Sequence, residues 1–314
     1  MVKRIPLPVT GVMLGMAALG NLLQSYSERV RLVCGAIAAV TGLLVLLKVI
    51  LYPKQFAEDM KNPVTASVSG TFTMALMLLA GYAKPYLNSG ADIIWYAAIV
   101  LHIVLIVYFT AKFMVHLDMT KVFASYYIVY VGIVVASVTA PAFGRTGTGT
   151  VLFWFGFAAL LLLLALVTYR YMKYKNMPEP VQPLFCIYTA PASLCLAGYI
   201  QSVQPRSVVM ISFLAILSTL IYLVVLVRLP AFLKMRFYPS YAAFTFPFVI
   251  TAIGMKMTAA CLANMGTPLP FLNYVVLIET IIAAVLTLYA LVRYIASVCR
   301  QPGEQKAAHV ETTT

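Results

Sequence analysis

Ten apolar runs divide the chain, at about residues 8–25, 32–52, 66–84, 92–113, 124–143, 150–172, 183–202, 206–229, 239–263 and 271–297. Each is close to the roughly 20 residues that a helix needs to cross a bilayer. The polar connections alternate in character. SYSERVR, KPYLNSGAD, GRTGTG, VQPRS and NMGTPLP are short, whereas PKQFAEDMKNPVTA, VHLDMTKV, YRYMKYKNMPEPVQ and RLPAFLKMRFYPS are longer and more basic. That alternation predicts five helical hairpins, each turning on one side of a membrane and linked on the other.

Glycine and proline follow the same beat. The odd runs hold Gly11, Gly15, Gly20, Gly70, Gly81, Gly132, Gly198 and Gly254, together with Pro141, Pro191 and Pro247. The even runs hold Gly35, Gly42 and Gly156 and are richer in bulky aliphatics. Small residues let helices approach closely, and proline at membrane depth needs backbone support from protein or water. The expected architecture is therefore all-α: ten transmembrane helices in five hairpins, in quasi-five-fold arrangement, with the odd helices around a central pore. Residues 1–297 form this domain, and 298–314 read as a disordered polar tail.

Composition and charge agree with a membrane assignment. The chain of 314 residues is 62% hydrophobic and 10% charged, with a net charge of +13. The cations sit in short loops instead of on one basic face, which argues against nucleic acid. Sixteen of the 22 lysines and arginines fall at the termini and the longer loops; Arg29, Arg31, Lys84, Arg145 and Arg206 fall on the other side. The positive-inside rule then puts both termini in the cytoplasm of a cell whose plasma (inner) membrane the chain spans repeatedly. The five cysteines include no CxxC pair and read as small buried hydrophobes.

No P-loop, HExxH, GxSxG or paired-aspartate motif is present, so an enzyme is not expected, nor a metal or cofactor. Charges inside the spans carry the functional candidates. Lys256 could attract anions or reach to the interface. Glu279, Asp92 and His102 are the groups able to titrate in a proton-coupled carrier, while ordinary buried roles compete for each. Few fixed charges and many hydroxyls in the odd spans suit weak, transient binding. Thr10, Gly11, Ser137, Pro141, Pro191, Thr245 and Pro247 are the expected pore-lining residues. Pro247 is read as a kink in a helix interior. Phe244, Phe246 and Phe248 could each close a bore, or simply pack.

The segments PLPVTGVMLGMAALG, YYIVYVGIVVASVTAP, APASLCLAGY and AFTFPFVITA, in this order, resemble the tellurite-resistance/dicarboxylate transporter family, which includes TehA-like proteins and the plant slow anion channels. The resemblance implies five tandem hairpins around a pore, usually as a homotrimer. It also implies a phenylalanine gate on the ninth helix, which the AFTFP match places at Phe246. The expected function is passage of a small anion of the chloride, nitrate, dicarboxylate or tellurite type, with a proton-coupled carrier for C4-dicarboxylates as the alternative.

Overall fold

The computed structural model describes residues 2–299, so Arg300–Thr314, most of the expected tail, lie outside the described residues. The described chain is helical throughout, with eight helices long and apolar enough to cross a membrane. Its α-helices are α1 (Val9–Leu23), α2 (Glu28–Leu51), α3 (Pro53–Asp59), α4 (Pro63–Leu87), α5 (Ser89–Phe109) and α6 (Tyr126–Tyr130). They continue with α7 (Val134–Thr139), α8 (Thr146–Lys173), α9 (Thr189–Ser202), α10 (Val208–Leu233), α11 (Phe246–Asn264) and α12 (Leu272–Cys299). Tight 3₁₀ turns at Glu179–Tyr188 and Pro239–Phe244 lead into α9 and α11.

Hydropathy and burial run opposite to each other. The most apolar helices, α2, α5, α8, α10 and α12, are the exposed ones, and the less apolar segments are buried. The extremes are the Val208–Leu233 window, 28% buried, and the Glu179–Ser202 window, 94% buried. Val209, Leu162 and Val227 stand out from the surface. In water such a surface would aggregate, but in lipid it is the correct one.

The buried elements contact one another in a closed series. α1 packs on α4, α4 on α6 and α7, α7 on α9, α9 on α11, and α11 returns to α1. Each also packs on the exposed helix that follows it: α1 on α2, α4 on α5, α7 on α8, α9 on α10 and α11 on α12.

Hydroxyls pin all five junctions of the series. Thr71 Oγ1 lies 2.8 Å from Thr10 Oγ1, and Ser67 Oγ lies 2.8 Å from Ser125 Oγ. Ser202 Oγ donates to the Ser137 carbonyl at 2.6 Å. Ser193 and Thr251 are 3.0 Å apart, and Thr245 Oγ1 is 2.8 Å from the Gly11 carbonyl. The last junction is close-packed. A Cβ on Gly15 would meet Thr245 Cβ at 2.3 Å and the Phe246 backbone nitrogen at 3.1 Å.

Pro247 does not kink a helix interior as its sequence context suggested. It occupies the first turn of α11, where the missing N–H would have had no helical partner in any case. The interruption lies one step earlier, at Thr245, between the 3₁₀ turn and α11.

Replacing Gly15 with alanine must move Thr245 or the backbone of Phe246, an overpacking cost of about 1–3 kcal/mol. Thermal unfolding in detergent should show a lowered Tm for Gly15→Ala. Gly81→Ala, whose added methyl meets nothing within 4 Å, should leave Tm unchanged or slightly raised.

Candidate functional site

Two cavities lie inside the closed series. The lower, of about 280 Å³, is bordered by Gly11, Leu14, Thr71, Met74, Tyr127, Gly132, Pro191 and Pro247, among others. The upper, of about 450 Å³, is bordered by Ala18, Asn21, Leu78, Gly81, Val135, Gln201 and Lys256, among others. Every buried element contributes its earlier residues to the lower cavity and its later residues to the upper one. Each space is large enough for several waters.

Two side chains border both cavities: Phe246 and Leu194. Phe246 is 5% exposed. It opens α11 directly after the Thr245 break, and Gly15 sets how closely that turn approaches α1. Its neighbours in sequence are engaged elsewhere. Phe244 packs on Tyr241, with ring centroids 4.7 Å apart, and Phe248 packs edge-on against Tyr222 at 5.9 Å. The fold thus separates three buried aromatics that look alike in sequence: two pack on other rings, and one borders two spaces.

Among the expected lining residues, Gly11, Pro191 and Pro247 border the lower cavity. Thr10, Ser137 and Thr245 are placed within the wall. Thr10 donates to the Leu7 carbonyl, Ser137 Oγ donates to the Gly149 carbonyl on α8, and Thr245 spans α11 and α1. A hydroxyl in a helix junction satisfies itself on a neighbouring backbone. Pro141 is exposed near the upper end of the broken span.

Lys256 borders the upper cavity and also holds the end of α1. Its ammonium donates to the Leu22 carbonyl at 3.0 Å and to Ser25 Oγ at 2.6 Å, and it lies 5.3 Å from the centre of the Tyr26 ring. A cation suits the negative end of a helix dipole. Arg31 joins it on the same wall, stacked 4.4 Å from Tyr82 and paired to Glu28 at 2.5 Å. No aspartate or glutamate borders either cavity among the described residues. The lower cavity has no charged lining at all.

The other titratable candidates lie away from both spaces. His102 is fully buried; its Nε2 donates to the Val129 carbonyl at 3.0 Å and its Nδ1 contacts Thr73 Oγ1 at 2.6 Å. Asp92 pairs with Lys84 at 2.6 Å. Glu279 is 3% exposed on α12, and its Oε2 has no hydrogen-bond partner.

Leu194, Arg31, Tyr127 and Ser240 were not legible as site residues. Tyr127 and Ser240 border the lower cavity, with their hydroxyl oxygens buried in its wall. A leucine in an apolar run carries no signal of its position. The break after Tyr130, which ends α6, could have been sought in the glycine at 132.

The family described as voltage-dependent anion channel matches residues 4–295, nearly the whole chain. The chain belongs to that family. This is the group that the four segment resemblances indicated, and its members are channels and transporters. No curated protein matched the sequence. Among the described residues, the charged side chains that border the cavities are the cations Arg31 and Lys256.

Lys256→Gln should lower anion flux in reconstituted vesicles by roughly 10-fold at low ionic strength, the lower end of the range by which a focused field raises counter-ion concentration. The deficit should shrink in ~1 M salt, where the Debye length is about 3 Å.

Proposed function

We propose that anions cross this protein through the two cavities in series, and that Phe246 closes the passage between them. The observation that carries the reading is the shared border at Phe246 and Leu194. An aromatic ring between two water-sized spaces can block passage sterically and by dewetting. Lys256 and Arg31 would draw anions to the upper end. The apolar lower wall would bind them weakly enough to let them leave.

The same reading takes the closed series and its exposed partners as ten helices in five hairpins around a central pore. The mutual packing of each buried element with its successor supports this. The family resemblance supports a homotrimer with one path per subunit, and the distribution of cations supports cytoplasmic termini in the plasma (inner) membrane.

Phe246→Ala should raise anion flux. Removing about 1.4 kcal/mol of barrier corresponds to about tenfold, and currents from purified protein in planar bilayers measure it. Phe248→Ala is the contrast: it should lower Tm, because core Phe→Ala changes cost about 3–5 kcal/mol of stability, without raising current per folded protein. Unchanged current in a folded Phe246→Ala protein would exclude the gate.

A second reading, a proton-coupled C4-dicarboxylate carrier, draws on the unpartnered carboxylate of Glu279. It requires saturable malate uptake driven by a proton gradient and abolished in Glu279→Gln. The channel reading expects currents indifferent to the gradient and to that substitution.

A further inference from the structure

Among the described residues, Arg170 is the most deeply buried charge that has no opposite charge beside it. It lies one turn from the end of α8 and is 1% exposed. Its two terminal nitrogens donate to backbone carbonyls, Tyr174 at 3.2 Å and Thr120 at 3.3 Å, and its Nε has no partner. The rings of Phe123 and Tyr171 flank it at 4.7 and 5.2 Å. Among the described residues no carboxylate pairs with it. The nearby Asp118 is taken by Lys121 at 3.0 Å and by Thr120.

Carbonyls and ring faces offer partial charge only. Burying a guanidinium without a counter-charge is costly. The C-terminal dipole of α8 amounts to about half a negative charge. Against it stand Arg170, Lys173 and Lys175, all bordering one groove of about 440 Å³ with Thr120, Tyr174 and Asn176. Both lysines are exposed, and Tyr169 and Met172 beside them present apolar surface. A basic recess with an exposed tyrosine at the end of a spanning helix sits where lipid headgroups meet water.

We propose that this groove binds a phosphate-bearing anion, with Arg170 as the buried anchor and Lys173 and Lys175 as its outer contacts. The planar guanidinium suits phosphate oxygens, and the lysines add charge at the rim. The site is separate from the two cavities. It adjoins the Thr120–Ala124 linker, which Arg170 holds through the Thr120 carbonyl and Tyr171 holds by accepting from the Ala124 N–H.

The test is native mass spectrometry of the purified full chain, titrated with short-chain phosphatidylglycerol or phosphatidylcholine, alongside thermal shift with inorganic phosphate. The wild type should retain phosphatidylglycerol selectively. Lys173→Gln with Lys175→Gln should weaken that retention by roughly fivefold per lysine removed. Arg170→Gln should abolish the selectivity, and the double lysine variant, altered only at exposed positions, keeps the test independent of folding. Phosphatidylglycerol binding that inorganic phosphate does not displace assigns a lipid headgroup. Phosphate stabilisation without lipid selectivity, lost in the double variant, assigns a soluble phosphate. Equal retention of the two lipids with no phosphate stabilisation overturns the proposal, as does wild-type binding by the double variant.

Discussion

Polar contacts between helices in an apolar surrounding set the geometry on which everything else in this chain rests. Five hydroxyl contacts join the buried elements into a closed series, one at each junction. In membranes such bonds average only about 0.6 kcal/mol each. Their sum is therefore modest, and their main effect is to fix register. A hydroxyl finds its partner at one rotation and depth, whereas aliphatic packing tolerates many. Glycine then lets the backbones come close enough for the hydroxyls to reach, most sharply where Gly15 faces Thr245. Once the register is set, Phe246 has a single place to be.

The distribution of apolarity is the reverse of a soluble domain's. The exposed helices are the most hydrophobic, because lipid is the better solvent for leucine, and the buried ones carry the serines and threonines. With no hydrophobic drive between helices in lipid, association relies on close packing and polar contacts. This explains why irregular backbone is concentrated in the buried elements. The 3₁₀ turns before α9 and α11, and the break between α6 and α7, lie where protein or a cavity can satisfy freed groups.

Charge is used sparingly and at the ends. Lys256 both ties α11 to the end of α1 and faces the upper cavity. Arg170 serves a different place, at the far end of α8, where it holds a linker and fronts a basic groove. Neither role could be assigned from the presence of a cation in an apolar run.

Membrane character, helical class and the contrast between odd and even runs were legible in the sequence, because lipid imposes length and composition on each helix separately. The alternation of glycine with bulky aliphatics also marked which elements are buried. The family resemblance singled out Phe246, and the fold shows how it differs from Phe244 and Phe248: all three are buried, but only Phe246 borders both spaces. Other features depended on long-range register and stayed hidden. Thr10, Ser137 and Thr245 have the composition of pore-lining residues, yet their hydroxyls turn to neighbouring backbones. Pro247 has the spacing of a kink, yet the chain breaks at Thr245 and makes it a helix start. Leu194 and Tyr127 are ordinary members of apolar runs until helices distant in sequence place them against a cavity. Which face a residue shows is local chemistry in a single helix, but what that face meets is decided only when the helices close on one another.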